Sequence, residues 1–425
     1  MKIQKVISPG GIEAWLVEEH KIPLITMEYG FKGGVSQDPD GKEGVSYFVS
    51  GMLDEGAGDL TSSQYQERKK DLAFRMSFNA GRDVFSGSFQ SLTEYREESI
   101  DMLRLALTKP RFDQDAIERV RRQIMSGYKF DANDPGTVAA KKWREIAFGD
   151  HPYGREKKGT EKSMATITAD DLRTFVKKNF TKGNLKVAVV GDINAKELGI
   201  LVDKVFGDLP DKPDLKTIAK VEKIPGPVKE VIKMDIPQSV VQFGHEGILR
   251  NDPDFVAAYV LNYIIGGGGF SSRLTEEVRE KRGLAYSVYT YLSPMTNAGL
   301  YAGGVATANK HVNQSVKVIQ EVLSDIAKNG PTAEELENAK KYLTGSYALR
   351  FDTSPKIASQ LLWIQIEDLG MDYIEKRNER VNAITLDDLK RVAKKLLKPD
   401  NLIITIVGKP ENETAAKPAK AEEKK

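Results

Sequence analysis

The 425-residue sequence contains no cysteine and only four histidines. The first absence removes disulfides, thiolate metal sites and cysteine nucleophiles together. The second leaves few imidazoles for a metal. His20, His151, His245 and His311 are far apart, and none has another histidine three or four positions away, where two ligands on one helical turn would sit. Net charge is nearly absent as well, with 63 basic against 61 acidic residues, so no field draws in nucleic acid or anionic lipid. No apolar run approaches the roughly 18–20 residues of a membrane helix, and no charged-then-apolar leader opens the chain. Gly-x-Ser-x-Gly is missing. Adjacent carboxylates such as Glu18-Glu19 and Asp54-Glu55 point different ways on a helix or strand and read as solvated surface. Met1 runs directly into a strand-like segment, Lys2–Ile7, as happens when a leader is removed and a start codon added. The expected compartment is the bacterial periplasm if a leader was removed, and the cytoplasm otherwise.

What is present is one pattern, twice. Ile167-Thr168-Ala169-Asp170-Asp171-Leu172 recurs as Ile384-Thr385-Leu386-Asp387-Asp388-Leu389, and Thr168 to Gly191 and Thr385 to Gly408 both span 23 positions. Each Thr with the Asp three residues on forms a capping box, and the acid suits the positive end of the helix. Leu172, Phe175, Val176 and Phe180 make one apolar stripe; Leu389, Val392, Ala393, Leu396 and Leu397 repeat it. Each helix should bury that face on a sheet. The apolar runs Leu185–Val190 and Leu402–Val407 then read as strands covered on both faces or lying mid-sheet. Upstream, Asp71-Leu72-Ala73-Phe74 and Gly283-Leu284-Ala285-Tyr286 each pass from a charged helix into a strand. Between the copies, Pro210, Pro213, Pro225 and Pro227 mark a linker.

The predicted fold class is therefore α+β, two homologous halves, each a mixed β-sheet covered by helices. The expected divisions are 1–208, a linker at 209–227, 228–409, and an Ala/Lys/Glu/Pro-rich disordered tail at 410–425.

A helix predicted from Gly44 reads Val45-Ser46-Tyr47-Phe48-Val49-Ser50-Gly51-Met52, followed by Asp54-Glu55-Gly56; His151-Pro152-Tyr153-Gly154 precedes Gly159-Thr160, and Val189-Val190-Gly191-Asp192 closes the first copy. In order and spacing these segments resemble the pitrilysin, or inverzincin, zinc metallopeptidases over about residues 2–408. There the helix carries His-x-x-Glu-His, two imidazoles meeting one Zn²⁺ while the Glu between them activates water. The matching positions here are Tyr47, Ser50 and Gly51, which offer none of those groups. The family's third ligand, a Glu on a later helix, falls at Phe130 or a neighbour. The resemblance thus implies a chain that binds no metal.

In the second copy Ile265 precedes Gly266-Gly267-Gly268-Gly269, and Phe270-Ser271-Ser272-Arg273-Leu274 opens a helix that runs to Arg282 and stops at Gly283, the position for φ > 0. No Gly-Lys-Ser/Thr follows, which argues against a nucleotide loop. The glycines serve either as a flexible connector or, as the resemblance implies, in substrate contact. Arg279 and Tyr286 match the family's Arg and Tyr, which reach from the C-terminal half toward the zinc site, hold substrate and stabilise the oxyanion. A fixed cation and a phenolic O–H suit that task. On the residues alone, Arg279 also complements a helix dipole and Tyr286 fits ordinary sheet packing; Arg282 is the competing arginine.

The subfamily resembling mitochondrial processing peptidase forms two-chain enzymes in which one chain alone carries the zinc motif. The implied function is the zinc-free subunit of a heterodimeric metallopeptidase, with Zn²⁺ in a homologous partner and peptide substrates enclosed between clam-like shells. The alternative is a non-catalytic scaffold, like the peptidase-derived core proteins of respiratory complexes, or a peptide-binding subunit.

Overall fold

The computed structural model describes residues 1–411, and the tail expected from 410 therefore lies, from 412 onward, outside the described residues. In the first half β1 (Gln4–Ile7), β2 (Glu13–Glu18) and β3 (Leu24–Lys32) lead to helices α1 (Val45–Ser50) and α2 (Ser62–Asp71), then to the hairpin β4 (Arg75–Ala80) and β5 (Val84–Leu92). Helices α3 (Arg96–Thr108), α4 (Gln114–Asn133), α5 (Pro135–Phe148), α6 (Glu161–Thr166) and α7 (Ala169–Asn179) follow, before β6 (Leu185–Gly191) and α8 (Ala195–Phe206). The second half holds β7 (Val228–Lys233), β8 (Gln238–Glu246), α9 (Phe255–Asn262), β9 (Ala285–Pro294), β10 (Gly299–Ala308), α10 (Val312–Asn329), α11 (Ala333–Gly345), α12 (Ser354–Ile366), α13 (Tyr373–Asn382), α14 (Leu386–Leu396) and β11 (Ile403–Gly408).

Duplication shows directly in the sheets. One has the order β1-β2-β6-β3-β5-β4 and the other β7-β11-β8-β10-β9. Without β1 the two are the same, down to a single parallel pair in each, β2 with β6 and β7 with β11. Both capping boxes form: Thr168 N–H donates to the Asp171 carboxylate at 2.8 Å, and Thr385 N–H to that of Asp388 at 3.0 Å. The α7 stripe lands on the sheet as expected, through Phe85 with Phe175 and the stacked rings of Phe31 and Phe180. The stripe of α14 instead packs chiefly against α9 and α10, within a core shared with the sheet.

β6 and β11 lie mid-sheet, and what covers their second face comes from the opposite half. α12 packs across β6 and β3, and α5 across β11 and β8. Trp15, Val17, Ala188 and Val190 thereby form a cluster with Leu361, Leu362 and Ile364, while Trp143 and Ala147 form one with Leu300 and Ile403. On the same rung of the two ladders, Gly30 opposite Lys186 and Gly244 opposite Ile403, a β-carbon would lie 3.1 Å from Ile366 of α12 or 2.9 Å from Trp143 of α5. Glycine gives the visiting helix its room. Polar ties cross as well: Tyr153 Oη donates to Asp83 at 2.9 Å and accepts from the N–H of Asn297 at 3.1 Å. Residues 207–227 carry neither helix nor strand; they part the sheets, whereas the covering helices cross them.

The duplicated helix-to-strand passages align two residues away from the position that the shared Leu-Ala dipeptide suggests. The positive-φ residue is Gly283 (φ 59°) in one half and Ala73 (φ 49°) in the other, each two residues ahead of its strand. Ala73 therefore corresponds to Gly283, and Met76 to Tyr286. Among the described residues, no helix is long and apolar enough to cross a membrane.

Candidate functional site

The helix that should carry a zinc motif is short and held from below. Asp38, buried beneath α1, accepts from the N–H groups of Gly44 at 2.7 Å and Ser46 at 3.1 Å, fixing the helix start. Tyr47 packs at the edge of the first core with Lys157 Nζ 6.0 Å from its ring centre. Ser50 Oγ donates back to the carbonyl of Tyr47 at 2.7 Å, and Gly51 ends the helix. A β-carbon on Gly51 would touch Val120 of α4 at 3.4 Å. Val120, Ile124 and Tyr128, spaced by four, give α4 a face toward that core, and the Tyr128 hydroxyl donates to the Lys158 carbonyl at 2.6 Å. Phe130, the residue aligned with a third ligand, is 77% exposed; it lies off that face, and Tyr128 is the neighbour that lies on it. Two phenols, a hydroxyl already engaged and a glycine do not fit zinc. Among the described residues, no group of three His, Cys, Asp or Glu is placed to hold a metal.

The four histidines serve elsewhere. His20 bonds Asp192 and Glu18, His151 the carbonyl of Ala219, His245 is buried, and His311 starts α10.

On the second half the predicted pair does come together. After α9 the chain winds with π-helical pitch over Tyr263–Gly267, makes a tight turn at Gly269–Ser271, and winds again with π pitch over Thr275–Glu280, later than the predicted opening at Phe270. Gly266 packs on β9, where a β-carbon would lie 2.5 Å from Thr290 Oγ1, while Gly267 and Gly269 are exposed and Gly268 half-buried. The run is thus a close-packed base with an exposed rim. Arg279 projects from the second wind, its guanidinium carbon 4.9 Å from the ring centre of Tyr286 and 4.7 Å from that of Phe270. The cation lies against two aromatic rings. Both rings face solvent, Phe270 at 75% and Tyr286 at 81% exposure.

Tyr286 faces outward because β9 bulges there. Ala285 pairs with Thr307 and Ser287 with Ala306, so Tyr286 is the extra residue of the ladder, and a bulge re-aims the side chain it carries. β9 is also the edge of its sheet. Beyond the bulge, Tyr289 and Tyr291 continue an exposed aromatic row. Arg282 is not equivalent to Arg279: its guanidinium is tied to the carbonyl and carboxylate of Glu277. Phe270 had no template in the spacing; an aromatic directly after a glycine run is the signal that would have found it. α1 packs on α4, α7 and β4, and β9 on β10, α9 and the π-wound stretches, so the two groups of residues belong to separate halves.

With this geometry in hand, comparisons place the chain among known proteins. A model of the peptidase M16 inactive domain matches residues 166–343, a stretch that contains Arg279 and Tyr286 and leaves Tyr47 outside. The protein is similar to the non-peptidase homolog YmxG of Helicobacter pylori, 27% identical over 79% of this chain and 78% of that one. It is also similar to the uncharacterized zinc protease YmxG of Bacillus subtilis, 25% identical over 85% and 88%. A crystal structure of a peptidase M16 inactive domain from Pseudomonas fluorescens superposes with a TM-score of 0.91 at 29% identity, covering 98% of this chain and 100% of that one. A protease from Helicobacter pylori, at 18% identity and a TM-score of 0.85, shares the fold.

Proposed function

The chain is a zinc-free member of the M16 peptidase family, and from that premise we propose that it is the metal-free subunit of a two-chain peptidase. A homologous partner bearing His-x-x-Glu-His supplies Zn²⁺, and this chain supplies Arg279 and Tyr286. The observation that supports this is the bulge in β9, which aims the Tyr286 hydroxyl into solvent beside a guanidinium held against two rings. Folded proteins rarely leave two large rings uncovered side by side, here against a half-buried cation whose Nε lies 3.4 Å from the Glu280 carboxylate; such a group suits contact with a partner or a peptide. In the proposed site Arg279 grips the substrate backbone and Tyr286 donates to the oxygen on which negative charge develops, while the glycine run Gly266–Gly269 lets the peptide approach the base of the group. The exposed edge of β9 offers backbone groups alongside.

The test is turnover per assembled heterodimer, with the chain co-expressed beside a homologous zinc-bearing subunit. Tyr286→Phe should lower kcat by about 10²–10³ with a smaller change in KM, and Arg279→Ala by a similar factor with some rise in KM. If both variants assemble normally and turn over at the wild-type rate, the reading is wrong and a scaffold role replaces it.

A further inference from the structure

A second feature of the molecule has neither Arg279, Tyr286 nor Phe270 in it, and meets the aromatic row only at its far end, Tyr291. Between α9, α12 and α13 lies a cavity of about 360 Å³, within the usual range for small organic ligands, roughly 300–1,000 Å³. Four arginines line it, Arg250, Arg350, Arg377 and Arg380, against one carboxyl, Glu367, whose pKa burial pushes up. Among the described residues none of the four lies within ion-pair distance of a carboxylate. Asp372, near Arg380, bonds Lys376 instead.

The guanidinium groups are held by ring faces. Arg377 lies 4.4 Å from the ring centre of Tyr347, and Arg250 4.3 Å from that of Phe255, while Arg250 also donates to Tyr373 Oη at 3.0 Å. Stacking occupies the flat side of a guanidinium and leaves N–H groups at its edge. Arg377 is only 7% exposed, with a backbone carbonyl and an amide as its partners. A buried cation without a counter-charge is costly. Two of the lining residues, Tyr347 and Asn262, also carry a buried polar atom, Oη and Oδ1, with no hydrogen-bond partner, where native structures leave few. The remaining walls are apolar, among them Val256, Leu292 and Ile364.

We propose that this cavity binds an organic carboxylate with an apolar or aromatic body, its charge among the arginines and its body between the rings. A peptide C-terminus and a free small acid share this chemistry.

Trp363 lines the cavity and is 44% exposed, whereas Trp15 and Trp143 are buried, so tryptophan fluorescence of the full chain reports on occupancy. The probes are N-acetyl-phenylalanine, its amide, sodium phosphate, and a hexapeptide ending in phenylalanine with a free or amidated terminus. The expected result is saturable binding of both free acids, at least tenfold weaker binding of both amides and of phosphate, and at least tenfold weakening by Arg377→Gln. Because Arg377 is buried and its variant risks misfolding, Arg250→Gln is the second variant and should weaken binding similarly. A hexapeptide at least tenfold tighter than N-acetyl-phenylalanine identifies a peptide terminus as the source; equal affinity identifies a small acid. Acid and amide binding alike, phosphate binding as tightly as the acids, or no binding overturns the proposal. Arg279→Ala leaves this binding unchanged, so its failure is separate from that of the subunit reading.

Discussion

Trp143 Nε1 donates to the carbonyl of Ile403 at 3.0 Å, joining a helix of the first half to β11, an interior strand of the second half's sheet. The mirror contact is Gln365 Nε2 with the carbonyl of Val187 at 2.9 Å. Trp143 is 4% exposed, so Trp143→Phe keeps most of the packing and removes one hydrogen bond from a carbonyl that still faces Gly244 across the ladder. The expected cost is about 0.5–1.5 kcal/mol, read as a lower denaturant midpoint. Trp143→Ala should cost about 3–5 kcal/mol.

Ala73→Gly should stabilise the protein by about 0.5–1 kcal/mol. Ala73 is exposed and sits at φ 49°, a left-handed conformation that costs a residue with a β-carbon and costs glycine nothing sterically. Gly283→Ala, at the corresponding position, should lose about 1 kcal/mol. Melting temperatures of the two variants should move in opposite directions.

His245 ties stability to acid. Burial first, with the Lys398 charge assisting and the Glu246 carbonyl opposing, lowers its pKa to about 4. Its Nε2 accepts from the N–H of Lys398 at 3.2 Å, and its Nδ1 lies 2.6 Å from the carbonyl of Glu246, so the fold wants a neutral ring protonated on Nδ1. The unfolded chain takes up a proton near pH 6.5 and the folded one near 4. The stability is therefore present above 6.5 and is lost as pH falls through that window, by roughly 3 kcal/mol. Glu28, raised by burial to about 7, acts with the opposite sign over an overlapping range. The readout is accordingly the difference between wild type and His245→Gln, which should be pH-independent above 7 and shift in favour of the variant toward pH 4.

Phe270→Ala should reduce turnover of the assembled enzyme by a factor of about 3–10, through loss of one of the two rings against Arg279, worth about 1 kcal/mol. Phe270 is exposed, and its removal should leave the melting temperature within a degree or two. A drop in melting temperature that accounts for the loss of activity would mark the ring as structural.

Tyr47→His, Ser50→Glu and Gly51→His together should not give the isolated chain peptidase activity. The α4 face toward that core presents Val120, Ile124 and Tyr128, none of them a carboxylate. Elemental analysis and a peptide-cleavage assay check this; robust turnover by the triple variant would locate a third ligand elsewhere.

What could be read from the sequence was what lies within a few residues. The boxes at Thr168 and Thr385 close inside one helical turn, and the loss of ligands at Tyr47, Ser50 and Gly51 is visible letter by letter. Arg279 and Tyr286 were paired through the resemblance; on spacing alone they fit a helix dipole and ordinary sheet packing equally well. The bulge that aims Tyr286 depends on pairing with β10, and pairing partners leave no local mark. The apolar faces of α5 and α12 announce burial without saying on which sheet. Leu72-Ala73 and Leu284-Ala285 invited an alignment two residues out, because Ala73 hides the left-handed turn that Gly283 advertises.

The mutual covering of the two sheets bears on what happens when the peptide chain is cut. A protease nick anywhere in the prolines and charges between Leu209 and Pro227 would sever a tether while leaving each fragment clasped over the other by Trp143 or Leu362. The nicked protein would run as two bands under denaturing conditions and as one particle under native ones. A fragment made alone would instead present a bare sheet face with no helix to cover it, and would be prone to aggregate until its complement arrived.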